Sequence, residues 1–427
     1  MFDYFSSVLE GRAVAKVILH ADLNNFYASV ACLNRPDLRE VPVAVCGDPT
    51  QRHGIVLAKN MPAKGRGIKT GQVIWQARQL CPGLVTLAPD FGEVLRLSRV
   101  VRDIFSRYTS HVQPFGVDEA WLDLSGPDMS LSRGERVANH LRHTVREETG
   151  LTVSIGVGDN RVFAKLGSDL KKPDAVSVVS EDNRASVLDP LPVGELLFIG
   201  RSTARKLNSI GIYTVGHLAA ADPNVLKGLL GKNGLTLSGF AHGDDLSAVL
   251  ATDAEPTVKS VGNSITAAHD ITTRRDARIT LYGLCESVAS RMRKHGLVGR
   301  VVQLSLRDTR LETFQRQCTL DFTTDCSCDF FDAAFGLLCR HWDEREPLRS
   351  MGVSVSRLCA TNELVQLSFL PEEAQRQKRA VLDRTVDGIR EKYGHFAIQR
   401  AVMLYDRALG QINPKEEHVL HPEPYFK

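Results

Sequence analysis

Two short acidic segments constrain the fold of this chain more than any other feature. His20-Ala21-Asp22-Leu23-Asn24 closes a run that is apolar from Val17 to Leu23 apart from His20 and Asp22. Later in the chain, Phe115-Gly116-Val117-Asp118-Glu119-Ala120 leads into a second apolar run that ends at Leu124. The first run has the pattern of a buried β-strand, and the second reads as a hairpin turning at its acids. Each segment alone could be a solvated turn or a helix cap. Brought together at strand ends, however, three carboxylates repel one another by several kcal/mol at low effective dielectric unless cations neutralise them. Hard oxygen donors favour Mg²⁺, with Mn²⁺ an acceptable substitute. Acids arranged in this way suit two-metal phosphoryl transfer.

At 427 residues the chain is long for one core, and two to four domains are expected. Hydrophobic residues make up 43% and charged residues 24%, and no apolar run approaches the length of a membrane span, so the expectation is a soluble protein away from the membrane. Met1 to Arg12 lacks a basic stretch followed by an apolar core, so no signal peptide is expected. Nine scattered cysteines fit reduced thiols in the cytoplasm better than a disulfide framework. Cys326-Ser327-Cys328 is the one close pair, and it lacks further ligands at zinc-site spacing. A net charge of +3 says little about partners. Its distribution says more, because basic residues clearly outnumber acidic ones from Lys259 to Arg316, as on a phosphate-tracking surface.

Strand and helix patterns alternate from Lys16 to about Pro173, with helices expected from Phe26, from Glu93 to Tyr108 and from Arg133 to Glu148. An insertion over 39–82 carries its own short strands, Val43 to Cys46 and Ile55 to Ala58, and reads as a separate lobe. The Pro-rich junction Leu188-Asp189-Pro190-Leu191-Pro192 opens a helical stretch to about Gly243, and Pro256 marks a second junction. Beyond it, strand-like runs at 301–307 and 351–355 surround helical patterns at 276–295 and 329–343, a second α+β domain.

The stretch Asp22-Leu23-Asn24-Asn25-Phe26-Tyr27-Ala28-Ser29-Val30, followed by Gly116-Val117-Asp118-Glu119-Ala120-Trp121-Leu122-Asp123, resembles the Y-family of translesion DNA polymerases. That family includes bacterial polymerase IV and the UmuC-type repair proteins, and the resemblance runs along almost the whole chain. It implies an α+β multidomain right-hand polymerase. The palm would be 1–38 and 83–188, the fingers 39–82, a helical thumb 189–250, an α+β little finger 257–362 and a C-terminal tail 363–427. The implied function is template-directed, error-prone transfer of deoxynucleotides to a primer 3′-hydroxyl in damage bypass and the SOS response.

By the same resemblance Asp22 and Asp118 would hold two Mg²⁺ ions, Glu119 would support the ion that activates the primer hydroxyl, and the Leu23 carbonyl would be a neutral ligand. Asn25, Phe26 and Tyr27 would meet the incoming nucleotide, with Tyr27 as steric gate against a 2′-hydroxyl; the alternative is that both aromatics pack the helix on the sheet. Lys64 and Lys172 would contact the triphosphate. Lys64 stands where the polymerase IV branch commonly has arginine, closer to the UmuC-type pattern, and an exposed surface lysine is the alternative.

Leu196 to Leu207 with Gly211-Ile212 resembles a helix-hairpin-helix in which Gly200, Ser202 and Thr203 would approach a DNA phosphate, although Phe198 occupies the usual first glycine; a plain helical hairpin is the alternative. Lys259, Ser260 and Gly262 resemble the start of the little finger, expected on the DNA backbone. Gln366, Leu367, Phe369 and Leu370 resemble a peptide that binds the bacterial sliding clamp, the β subunit. Primer-template DNA, deoxynucleotides and the clamp are therefore the expected partners. Two other classes were weighed. A non-catalytic clamp-binding repair scaffold would have lost its carboxylates, and a nucleotidyl cyclase-like enzyme would have no duplex to hold.

Overall fold

The computed structural model describes residues 15–48, 54–245, 247–254, 258–361 and 371–411. The chain divides into two compact units, Met1–Cys46 with Val56–Ala254 and Gly47–Ile55 with Glu255–Lys427. In the first unit, strands β1 (Ile18–Leu23), β2 (Val43–Cys46), β3 (Val56–Lys59), β4 (Val85–Leu87), β5 (Val112–Pro114), β6 (Glu119–Asp123), β7 (Val153–Gly158) and β8 (Val176–Val179) sort into two sheets. The larger has the order β5-β6-β1-β7-β8 and the smaller β3-β2-β4.

Strand β1 lies at the centre of the larger sheet, antiparallel to β6 and β7, and all six of its residues are buried. Period-2 alternation sends Leu19, Ala21 and Leu23 to one face, where they meet Val153, Ile155 and Val157 of β7. Helices Phe91–Ser106 and Leu131–Thr149 cover that face through Val94, Leu97, Val101 and Ile104, and through Ala138, Leu141 and Val145. These apolar positions recur at helical spacing, and each fully buried Val, Leu or Ile contributes about 1.5–3 kcal/mol. Asp90 caps the first helix by accepting from Glu93 N, and Ser130 caps the second by accepting from Arg133 N.

The opposite face carries Ile18, His20 and Asp22 and is covered by helix Arg161–Leu170. That helix approaches unusually closely because its neighbour on β7 is Gly156: a Cβ there would lie 1.8 Å from the Ala164 carbonyl oxygen and 2.4 Å from Ser168 N. Its far side, Val162, Phe163 and Leu166, joins a core with Leu196, Leu207, Val215 and Leu226 from the helical segment. Helices Arg201–Asn208, Val215–Ala219, Pro223–Leu230 and Lys232–His242 make up that segment, which matches the helical stretch expected to about Gly243. The small sheet extends past the lobe read from sequence, because β4 pairs in parallel with β2 although residues 83 onward were assigned to the larger domain.

The second unit holds β9 (Ser260–Ile271), β10 (Leu297–Asp308), β11 (Thr313–Thr324), β12 (Leu348–Ser356) and the short β13 (Cys359–Ala360). Four of them form an antiparallel sheet in the order β11-β10-β12-β9. Helices Arg274–Lys294 and Ser327–His341 pack on one face around Leu281, Leu284, Val288, Phe330 and Leu338, against Val302, Leu304 and Leu306 of β10. Helix Pro371–Tyr393 follows, and Asp383, Asp387 and Arg390 fasten it to this core. Gln366, Leu367, Phe369 and Leu370 lie outside the described residues. None of the nine cysteines is in a disulfide. No helix among the described residues is long and apolar enough to cross a membrane.

Substituting Gly156→Ala should destabilise the fold by about 3 kcal/mol, because a Cβ would overlap backbone that cannot move without lifting a helix from the sheet. Urea unfolding measures the loss; an unchanged midpoint would contradict the tight helix-to-sheet contact.

Candidate functional site

The register of β1 against β6 places Asp22 directly opposite Glu119, so the two carboxylates share one face of the sheet. Asp118 precedes β6 in the hairpin, and its carbonyl accepts from Leu23 N at 2.9 Å, which ties the turn to the end of β1. Ser98 Oγ donates to the Val117 carbonyl and fixes the same turn from helix Phe91–Ser106. Gly116, at φ 87°, supplies a left-handed conformation that the turn needs. The structure thus brings together the three acids singled out in the sequence.

Two ammonium groups stand among these acids. Lys165 Nζ lies 3.0 Å from Glu119 Oε2, 3.4 Å from Asp22 Oδ2 and 3.3 Å from Asp169 Oδ2. Lys172 Nζ lies 2.7 Å from Asp22 Oδ2 and 2.9 Å from Asp169 Oδ1. Burial opposes charge on both lysines, yet the carboxylates outweigh it: Glu119 leads for Lys165 and Asp22 for Lys172, and both ammonium groups are held above the ordinary lysine value.

The acids feel their crowding. Burial, then Glu119, then Asp22 push Asp118 up to about 6. Burial also raises Asp22, with Glu119 adding and Lys172 opposing. His20 sits beneath the cluster, fully buried, and burial followed by Lys165 lowers its pKa well below the ordinary value, so the imidazole is neutral. Ser168 Oγ donates to the Lys165 carbonyl at 2.7 Å and therefore accepts from His20 Nδ1 at 2.9 Å, which assigns the tautomer. The bare His20 Nε2 then faces Glu119 Oε2 at 3.3 Å without completing a hydrogen bond, while that carboxylate oxygen has Lys165 Nζ at 3.0 Å.

Asp22, Asp118 and Glu119 are the carboxylates available to a divalent cation. Among the described residues no three His, Cys, Asp or Glu side chains are already drawn into a ligand set, since the two lysines stand between the acids. The donor chemistry nevertheless suits a hard cation: oxygen ligands, and carboxyl groups whose charge burial makes costly.

The other expected residues are distributed around this cluster. Asn25 adopts φ 48° and turns β1 into helix Phe26–Leu33. Phe26 is buried in the core, as the packing alternative has it, whereas Tyr27 is half-buried with its ring edge toward Phe91. Burial and then the Asp118 charge raise the Tyr27 phenol, which locates Tyr27 beside the acids. Lys64 is exposed on helix Met61–Gly65 near Lys59, whose pKa burial and then Lys64 lower. Among the described residues no ion pair joins Lys64 to the acids.

Gly200 caps helix Arg201–Asn208, with Ser202 and Thr203 in its first turn. Phe198 takes the left-handed conformation of the absent glycine at φ 66° and is 67% exposed. In the second unit Lys259 and Ser260 are exposed at the start of β9, while the Gly262 carbonyl accepts from Arg291. Much of the basic stretch serves the fold itself: Arg293 is buried against Asp383 and Asp387, Arg274 pairs with Glu344, and Arg310 reaches Glu346.

Sequence reasoning missed Lys165, Asp169, His20, Asn24 and Ser154 as members of the cluster. Asn24 donates to Ser154 Oγ and accepts from Asp174 N, tying the end of β1 to the segment that carries Lys172. Spacing held a signal for the first two, because Lys165, Asp169 and Lys172 recur at i, i+4 and i+7.

Residues 21–169 match the impB/mucB/samB family, and residues 258–369 match the C-terminal domain of that family. The chain is similar to the DNA polymerase IV of Acetivibrio thermocellus, 44% identical over 397 residues that span 93% of this chain and 100% of the relative. Similar too are the DNA polymerase IV of Moorella thermoacetica, 38% identical over 91% of this chain and 96% of the relative, and DNA polymerase IV 1 of Bacillus subtilis, 33% identical over 91% and 94%. The solved structure of a Y-family DNA polymerase chimera superposes with a TM-score of 0.71 at 21% identity, covering 81% of this chain and 99% of that one.

A buried acid at about 6, against an ordinary value near 3.8, binds more protons in the folded than in the unfolded state between those values, so stability falls as pH rises through that window. With divalent cations chelated, Asp118→Asn should therefore be about 3 kcal/mol more stable than the native protein at pH 8, and nearly equal to it below pH 4. Urea melts at both values test this; equal stability at pH 8 would remove the crowded-acid description.

Proposed function

The chain belongs to the impB/mucB/samB family, the Y-family of DNA polymerases, and from that premise we propose that it is a translesion DNA polymerase of the polymerase IV type. It would extend a primer 3′-hydroxyl with deoxynucleotides at the site of Asp22, Asp118 and Glu119. The observation that carries this reading is the register of Asp22 opposite Glu119 with Asp118 at the adjoining turn, and two lysines paired with Asp22 and Glu119.

The chain's own residues prepare each requirement of nucleotidyl transfer. Asp22, Asp118 and Glu119, with the Leu23 carbonyl beside them, would hold two Mg²⁺ ions. Bound there, the ions supply Lewis acidity, lowering the pKa of the attacking hydroxyl and neutralising the triphosphate. Lys172 is held at the edge of the cluster by Asp22 and Asp169, positioned to exchange carboxylate for phosphate oxygen. Lys165 remains below, where it screens Glu119 from Asp22. Tyr27 would close the sugar pocket against a 2′-hydroxyl, since the Phe26 ring is committed to the core. Lys64, from helix Met61–Gly65, would add a cation to the triphosphate as a point charge rather than a bidentate fork.

We assign the sheet β5-β6-β1-β7-β8 to the palm, β3-β2-β4 with its helices to the fingers, the helical segment to the thumb and the second unit to the little finger. In the thumb, the amides of Ser202 and Thr203 beside Gly200 would meet a DNA phosphate, and Lys259 and Ser260 would meet one from the little finger. Gly262 fits that role less well, because its carbonyl is taken by Arg291 and a Cβ there would lie 2.7 Å from Ser354. Clamp binding through Gln366, Leu367, Phe369 and Leu370 rests on sequence, as does a cytoplasmic location.

Primer extension tests the reading. Asp118→Ala and Glu119→Ala should each lower extension by at least about a thousandfold while primer-template affinity stays within about threefold; retained turnover would displace the site. Tyr27→Ala should incorporate ribonucleotides at rates approaching those of deoxynucleotides, and unchanged discrimination would put the gate elsewhere.

A further inference from the structure

One pair of thiols has no part in polymer synthesis, and its surroundings are those of a reactive site. Cys326 is the N-cap of helix Ser327–His341 and Cys328 its second residue, so Cys328 lies in the first turn, where the positive end of the helix dipole favours an anion. One residue separates the two cysteines at this helix start, which keeps their side chains close neighbours. From the C-terminal segment, Arg400 Nη2 donates to Cys328 Sγ at 3.5 Å. Cys326 is buried, 1% exposed, whereas Cys328 is half-buried and reachable from solvent.

These sulfurs lie where the C-terminal segment is fastened to the second unit. Asp383 accepts from Ser327 N at 2.7 Å and Ser327 Oγ at 2.9 Å, capping the helix from another helix. Arg293 reaches Asp383 and Asp387, and Glu286 holds Arg390 at 2.8 Å and Arg400 at 2.6 Å. A cavity of about 150 Å³ opens among Glu286, Ser327, Asp383 and Arg400.

We propose that Cys326 and Cys328 form a peroxide-oxidisable dithiol whose oxidation loosens the attachment of the C-terminal segment 371–411. Cys326 and then Arg400 hold the Cys328 thiol below the ordinary cysteine value, against burial and the Asp383 charge. Cys326 moves the other way, held protonated by Cys328, by burial and by Asp329 and Asp383. The roles are therefore unequal. The Cys328 thiolate attacks hydrogen peroxide, the O–O bond breaks, and sulfenic acid and hydroxide form. Cys326 sulfur then attacks the Cys328 sulfur, a disulfide forms, and the sulfenic oxygen leaves as water with the Cys326 proton. The hydroxide takes up from solvent the proton that the Cys328 thiol gave up on ionising, so two thiols are oxidised by two electrons and one peroxide is reduced to two waters. The product carries no charge at Cys328, so Arg400 loses a partner, and the new bond pulls the N-cap away from the geometry in which Asp383 receives Ser327.

The test uses the full chain. Iodoacetamide labelling followed by peptide mass spectrometry should show Cys328 half-maximally reactive near pH 6, well below free cysteine. Equimolar hydrogen peroxide should then remove about 2 Da and yield a Cys326–Cys328 cross-linked peptide. Amide exchange over 383–400 should accelerate at least about tenfold and recover with dithiothreitol. Cys326→Ser should stop at a sulfenic acid trapped by dimedone, and Cys328→Ser should not react. An alkylation midpoint like that of free cysteine, or no cross-link, would overturn the dithiol; a cross-link with unchanged exchange would overturn its control of the C-terminal segment.

Discussion

Repulsion among Asp22, Asp118 and Glu119 organises the first unit. Two unit charges about 4 Å apart cost about 4 kcal/mol at an effective dielectric of 20, a large part of a domain's net stability. The sheet register cannot relieve it, because a shift of one residue would turn Leu19, Ala21 and Leu23 out of the core. The chain answers with charge of opposite sign. Lys165 and Lys172 come from one helix and the turn that follows it, and Asp169 between them keeps both ammonium groups paired. Gly156 permits this answer, since only a bare Cα lets the helix come close enough for Lys165 to reach across the sheet face.

The second unit meets a related problem with a different result. Its buried charges are already paired in fixed geometry: Arg293 with Asp383 and Asp387, Glu286 with Arg390 and Arg400. Buried pairs of this kind add little net stability over apolar packing, yet removing one partner strands the other at a cost of about 3–5 kcal/mol. They therefore specify where helix Pro371–Tyr393 sits more than how strongly it is held. A segment positioned by charge is sensitive to any change in charge at its contacts, and Cys328, which accepts from Arg400, is one of them.

The legible parts of the sequence were those in which one pattern dictated one outcome. Strands β1, β6 and β7 are apolar on both faces or sharply alternating, and helices 91–106 and 131–149 repeat their apolar residues at helical spacing. Strand β11 left little trace because its side chains are almost all exposed or half-buried, and β9 because buried, half-buried and exposed positions mix along it without clean alternation; pairing with neighbours makes both of them strands. The acids were readable because carboxylates next to apolar runs are conspicuous. Their partners were not, for a lysine that spans a sheet face looks in sequence like any surface lysine. Arg291 and Arg293 show the reverse error: a basic run read as surface turned out to include groups buried for the fold.

On the polymerase reading, the lysines explain how a site so acidic can exist before substrate arrives. An empty cluster of three carboxylates would either protonate, as Asp118 begins to do at about 6, or spread apart and lose the geometry required for transfer. Lys165 and Lys172 hold the acids in place with charge that is mobile at one end. Lys172, shared between Asp22 and Asp169, can release Asp22 and keep a partner, whereas Lys165 has three acceptors and no comparable freedom. Arrival of a triphosphate then exchanges ion pairs instead of creating new charge, so electrostatic reorganisation is small at the moment when positioning matters most. The same logic accounts for His20, a neutral ring under Glu119: a permanent cation there would compete for the carboxylate, while an uncharged one fills the space and leaves Glu119 Oε2 to Lys165 and to an incoming cation.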